Sequence, residues 1–147
     1  MTLWRVQVLP AGPFTYKGVR TLDFTRGYRE AIAGAFDGGA LDMVPFQLAE
    51  SDNAHTNDPA RYRGEVRALE VVSDGMDAVI EATPEGDEAI RTVPGLAAAP
   101  RLIENYYTTD DRPWPVVLQH VLGTTAPMIT GLRGWRELES DDNRRAS

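Results

Sequence analysis

Residues 65–82, EVRALEVVSDGMDAVIEA, decide the fold class, because two strand-like runs flank the turn pair Asp74-Gly75. Glu65 to Val72 and Met76 to Ala82 are rich in apolar, largely β-branched side chains, and an Asp-Gly pair between such runs is a strong short-range signal for a β-hairpin. An antiparallel hairpin is therefore expected at the middle of the chain.

Working outward toward the N-terminus, Trp4, Val6 and Val8 alternate with Leu3, Arg5 and Gln7 before Pro10, which predicts an opening strand with one apolar face. Thr25 is placed to cap a helix in which Tyr28, Ile32, Ala35 and Phe36 share one face, and Asp37-Gly38-Gly39 stops it. The run Met43 to Leu48 is apolar but contains Pro45, which cannot donate to a ladder, so it is expected at a sheet edge. A polar loop follows from Glu50 to Arg63. Toward the C-terminus, Pro84 opens a short helix whose acidic Glu85, Asp87 and Glu88 lie near its positive end. Strands are expected over Ala97 to Tyr107 and, past the turn TTDDRPWP, over VVLQHVLGTT at 116–125. The expected architecture is α+β: a β-rich single domain over residues 1–136, with a mostly antiparallel sheet or a small barrel flanked by a few helices. Residues 137–147, ELESDDNRRAS, read as a flexible polar tail.

Composition narrows the function classes. At 147 residues and 42% hydrophobic content the chain has the size of one ordinary domain. A net charge of −7, with Lys17 the only lysine, argues against binding nucleic acid or an anionic membrane, since neutralising phosphates needs clustered cations. No apolar run approaches the roughly 18 residues of a membrane span, and MTLWRVQVLP lacks the apolar block of a signal peptide. A soluble, unexported protein is expected. The chain has no cysteine, which excludes disulfides, thiolate chemistry and cysteine-based zinc sites.

Only two histidines are present. His55, in SDNAHTNDPARYRGEV, lies among turn-forming Asp and Asn residues, so an exposed loop histidine is the plain reading. Asp52, Asn53, Asn57 and Asp58 offer oxygens for calcium, but their spacing matches no EF-hand, and no metal is expected. His120 shares a strand face with Leu118 and Leu122, as a core histidine bonded to a carbonyl would. Trp114, Trp135 and Phe46 read as core residues rather than a docking groove. The stretch GLAAAPRL at 95–102 places three alanines before Pro100, which biases Ala99 toward an extended conformation and raises the question of whether a side chain is missing there.

These pieces occur in an order that resembles the bacteriophage capsid maturation (prohead) serine proteases. The resemblance spans nearly the whole chain and is carried by VPFQLAESDNAHTNDPARYRGEVRALEVVSDGMDAVIEAT (44–83), GLAAAPRLIENY (95–106) and VLQHVLGTTAPMITGLRGW (117–135). It implies a fold related to herpesvirus assemblin and a triad in the chain order His, Ser, His. His55 falls on the catalytic histidine, Ala99 on the nucleophile and His120 on the third member. A serine hydroxyl becomes a useful nucleophile only when an imidazole takes its proton and a third group orients that imidazole. Asp52, Asp58 and Glu65 are the carboxylate alternatives for that third group. Backbone amides at Gly123 and Thr124, read as a turn, are the candidates for the oxyanion hole. Arg101 is expected on the same strand face as Ala99, or else in a surface ion pair with Glu104.

The resemblance implies that phage scaffold and major capsid proteins are the substrates, inside the assembling procapsid in the host cytoplasm, without cofactor, nucleic acid or membrane. A homo-oligomer is left open. A scaffolding segment joined beyond the polar tail is also implied. Because Ala99 has no hydroxyl, the chain as written is an inactive endopeptidase: either a serine was replaced to disarm it, or it is a natural pseudoenzyme. The alternative is a non-catalytic virion assembly or scaffolding module with a protease-like fold. A metal-binding domain built on His55, Asp52 and Asp58 is a third reading. Thr92, Thr108 and Ser73 are other hydroxyls, none at the position the resemblance singles out.

Overall fold

The hairpin forms as expected in the computed structural model, which describes residues 1–16, 20–49 and 57–138. β5 (Tyr62–Val72) and β6 (Gly75–Ala82) pair antiparallel from Gly64↔Ala82 to Val72↔Gly75. The two turn residues are Ser73 and Asp74, so Gly75 is not part of the turn but the first residue of β6. Its glycine has a different cause. Gly75 sits at φ 152°, and a Cβ there would lie 2.0 Å from the Leu9 carbonyl oxygen. The neighbouring strand β1 (Thr2–Pro10) passes too close for any side chain.

Around this hairpin the chain builds a mixed seven-stranded sheet. The remaining strands are β2 (Gly12–Tyr16), β3 (Arg20–Phe24), β4 (Pro45–Leu48), β7 (Ala97–Tyr107), β8 (Pro113–Thr124) and β9 (Arg136–Glu137). The sheet order is β7-β8-β4-β5-β6-β1-β9, and β2 and β3 form a separate ribbon. Among the described pairs only β4–β8 is parallel. Irregular register between Gln7 and Leu9, Phe46 and Gln47, Val66 and Ala68, and Arg101 and Leu102 bends the strands. β7 and β9 remain unpaired with each other, so the sheet is open and the small-barrel alternative does not hold.

Two helices complete an α+β domain. Helix α1 (Arg26–Asp37) begins where Thr25 Oγ1 accepts the Tyr28 N–H at 3.1 Å and ends at Gly38. It packs on β8, β5 and β6. Helix α2 (Pro84–Thr92) is capped by Thr83 and carries Glu85 and Asp87 in its first turn. The main core cluster includes the buried Phe24, Ile32, Phe46, Met76 and Ile80. Trp135 packs tilted against Phe46 and edge-on to Trp4, so these aromatic residues are core, as expected.

Two expectations are corrected. β4 is central, between β8 and β5, rather than at an edge. Pro45 is its first residue, where a missing N–H removes no interior ladder bond. The polar tail does not begin at 137: β9 pairs Glu137 with Trp4, Leu138 is buried, and its N–H donates to the Leu3 carbonyl at 2.9 Å. Residues 139–147 lie outside the described residues. None of the described helices is long and apolar enough to cross a membrane.

Candidate active site

Pro100 and the three alanines before it are strand residues. Pro100 keeps Ala99 out of the helical region. Ala98 and Ala99 are 5% and 8% exposed, so position 99 is buried rather than open to solvent. The register is Ala97↔Thr124, Ala99↔Leu122 and Arg101↔His120. Partners opposite each other share a sheet face, so Ala99 and His120 are diagonal neighbours on one face. Such neighbours lie about 7–8 Å apart, within reach of an imidazole.

His120 is fully buried, as its place between Leu118 and Leu122 predicts. A side chain is among its partners. Nδ1 lies 2.5 Å from Asn57 Oδ1. Beside it, in the parallel β4–β8 pair, Gln47 stands opposite Leu122 and is 1% exposed. The Asp58 N–H points to Gln47 Oε1 at 3.4 Å. The start of the Pro59–Arg61 turn is thus tied to the same sheet face by two polar contacts. His55 and Asp52 lie outside the described residues.

The other candidates separate. Asp58 Oδ1 accepts the Ala60 N–H at 3.0 Å as the cap of a 3-10 turn, and its carboxylate is 3.7 Å from Arg61 Nε. Glu65 pairs with Arg67 at 3.0 Å, where Arg67 also holds Glu81. Gly123 and Thr124 do not form a turn. Both lie inside β8, opposite Ala98 and Ala97, and the Gly123 carbonyl accepts the Ala49 N–H at 2.9 Å. Gly123 is small because a Cβ would sit 2.8 Å from Leu48 Cδ2 and 3.1 Å from Phe46 Cε1. Thr124 Oγ1 accepts the Ala126 N–H at 3.1 Å. Neither stands in the turn that the oxyanion-hole expectation assumed.

Arg101 faces His120 across the ladder but binds Gln119, its Nε donating to Oε1 at 2.9 Å. The register skips Gln119, which brings that side chain toward Arg101. Glu104 instead accepts from the Tyr28 hydroxyl at 3.2 Å. Among the other hydroxyls, Thr92 donates to the Glu88 carbonyl at 2.7 Å, Thr108 bonds Asp110, and Ser73 is exposed in the hairpin turn. Among the described residues no three His, Cys, Asp or Glu side chains are grouped to hold a metal ion.

Asn57 is the residue that sequence reasoning misses. The sequence offers it only as a loose oxygen donor for calcium, and its oxygen faces His120. Its place two positions after His55 is the only signal in the sequence. In comparisons with known proteins, the chain matches no protein-family model and no curated protein.

Proposed function

We propose that the chain is the protease domain of a phage head maturation serine endopeptidase with an assemblin-like fold, inactive because position 99 carries alanine. Its substrates are scaffold and capsid proteins of the procapsid. His55 is the base, position 99 the nucleophile and His120 the third member. The observation that carries the reading is the cross-strand register, with position 99 and the buried His120 on one sheet face. The tie from Asn57 to His120 adds support, because it holds the residue two positions after His55 at that face.

Chemically, a serine at 99 would lose its proton to His55 as Oγ bonds to the scissile carbonyl carbon, and His55 would return the proton to the leaving amine. A histidine in third place supports the imidazolium less strongly than a carboxylate, so turnover is slow. That suits a single cut in a crowded shell.

The test is Ala99→Ser probed with a fluorophosphonate, which labels activated serines by displacement of fluoride. We expect labelling at position 99 alone, lost on His55→Ala and lowered on His120→Ala. Labelling that survives loss of both histidines overturns the assignment. The alternative assembly module is favoured by one observation, the buried alanine itself, which needs no hydroxyl partner.

A further inference from the structure

An imidazole buried on a sheet face has two nitrogens, and which one carries the proton decides what the ring can do. At His120 the partner of Nδ1 is a carboxamide oxygen, 2.5 Å away. An oxygen accepts only, so Nδ1 must carry the hydrogen and donate it to Asn57. The neutral ring then presents Nε2 as its acceptor.

We propose that Asn57 is a positioning residue, which holds His120 in the Nδ1-protonated tautomer so that Nε2 is kept as an acceptor for the catalytic base. This deepens the protease reading and rests on it for the identity of that base. A third-member histidine works by accepting the first ring's N–H, so it must be neutral and must turn an unprotonated nitrogen toward it. A neutral amide at 57 meets both needs: it fixes the tautomer without adding a negative charge that would favour imidazolium. An aspartate in its place would still accept the hydrogen bond, but it would raise the His120 pKa. The partner side chain is exposed, whereas the ring it holds is 0% exposed, so the contact can be altered from the surface.

Two measurements separate this proposal from the protease reading. Nitrogen-15 NMR of the imidazoles in the chain as it stands, with alanine at 99, reads the tautomer without any activity. We expect His120 to be Nδ1-protonated at neutral pH, and Asn57→Ala to convert it to a mixture or to the Nε2-protonated form. In the Ala99→Ser protein, Asn57→Ala should lower kcat about 10–100-fold with KM unchanged, by analogy with the groups that orient metal-bound histidines. Asn57→Asp should retain cleavage at high pH and move the acid limb of the pH profile upward, together with the His120 titration. An Nε2-protonated ring in the parent chain overturns the proposal whether or not the enzyme cuts. Normal kcat and an unmoved pH profile in both variants also overturn it, while leaving the protease reading intact. A correct tautomer with no cleavage by Ala99→Ser defeats the protease reading and the catalytic role of Asn57, leaving a structural hydrogen bond.

Discussion

Position 75 shows how a residue can be read correctly for the wrong reason. The Asp-Gly pair marked the hairpin, yet the turn is made by Ser73 and Asp74, and Gly75 is required because Leu9 O passes where a Cβ would be. Gly75→Ala should therefore cost about 1–3 kcal/mol or more, since it combines a disfavoured φ with a backbone clash. Urea unfolding of the variant checks this. Stability within about 0.5 kcal/mol of the parent would mean that β1 can move aside. The same lesson holds at the site. Gly123 and Thr124 looked like a turn because small residues usually mark one, whereas Gly123 is small to let β4 side chains in. Ala99 and His120 were legible as residue types in a chain order, but that they share a face comes from a register set by long-range pairing.

At the scale of elements, the strands and helices with a clear period were readable: the hairpin, the capped α1 and α2, and β7 to both its ends. β4 was not. A run of four residues with a proline carries no mark of its neighbours, and its central place depends on a parallel pairing with β8, more than seventy positions away. The fastening of α1 to the hairpin was also hidden. Arg29 is 4% exposed, and its guanidinium donates to the carbonyls of Phe24 at 3.1 Å, Val72 at 2.5 Å and Gly75 at 2.7 Å. One arginine in RGYREA gives no sign that it turns inward. Arg29→Met keeps the bulk but strands three carbonyls, and should destabilise by roughly 2–4 kcal/mol. Calorimetry on the variant tests it, and an unchanged midpoint would show that water replaces the clamp.

At the scale of the whole molecule, one side-chain cluster helps to tie α2 and β9 to β1. Trp4 Nε1 donates to Asp87 at 3.0 Å, Arg91 binds Asp87 and Glu137, and its guanidinium lies 5.0 Å from the Trp4 ring centre. Partial burial pushes the Asp87 carboxyl up, but the hydrogen bonds from Arg91 and Trp4 outweigh it and hold the group below its ordinary value of 3.8. A carboxyl depressed in the folded state adds stability above its unfolded pKa and loses it as pH falls through the folded value. The stability difference between the parent and Asp87→Asn should thus be full at neutral pH and shrink below about pH 3.8. Acid unfolding curves of the pair read it, and a difference that stays constant to about pH 2 would contradict the linkage. Such long-range ties are also why the boundary near 137 was misplaced. Leu138 looked like part of a charged tail until β1 offered it a partner.

The central claim, a disarmed nucleophile at 99, is tested most directly by Ala99→Ser incubated with the matching scaffold and capsid proteins, with new termini identified by mass spectrometry. A small set of discrete cuts is expected, absent with alanine at 99 and absent again when His55→Ala is added. A folded Ala99→Ser protein that leaves both partners intact would contradict it.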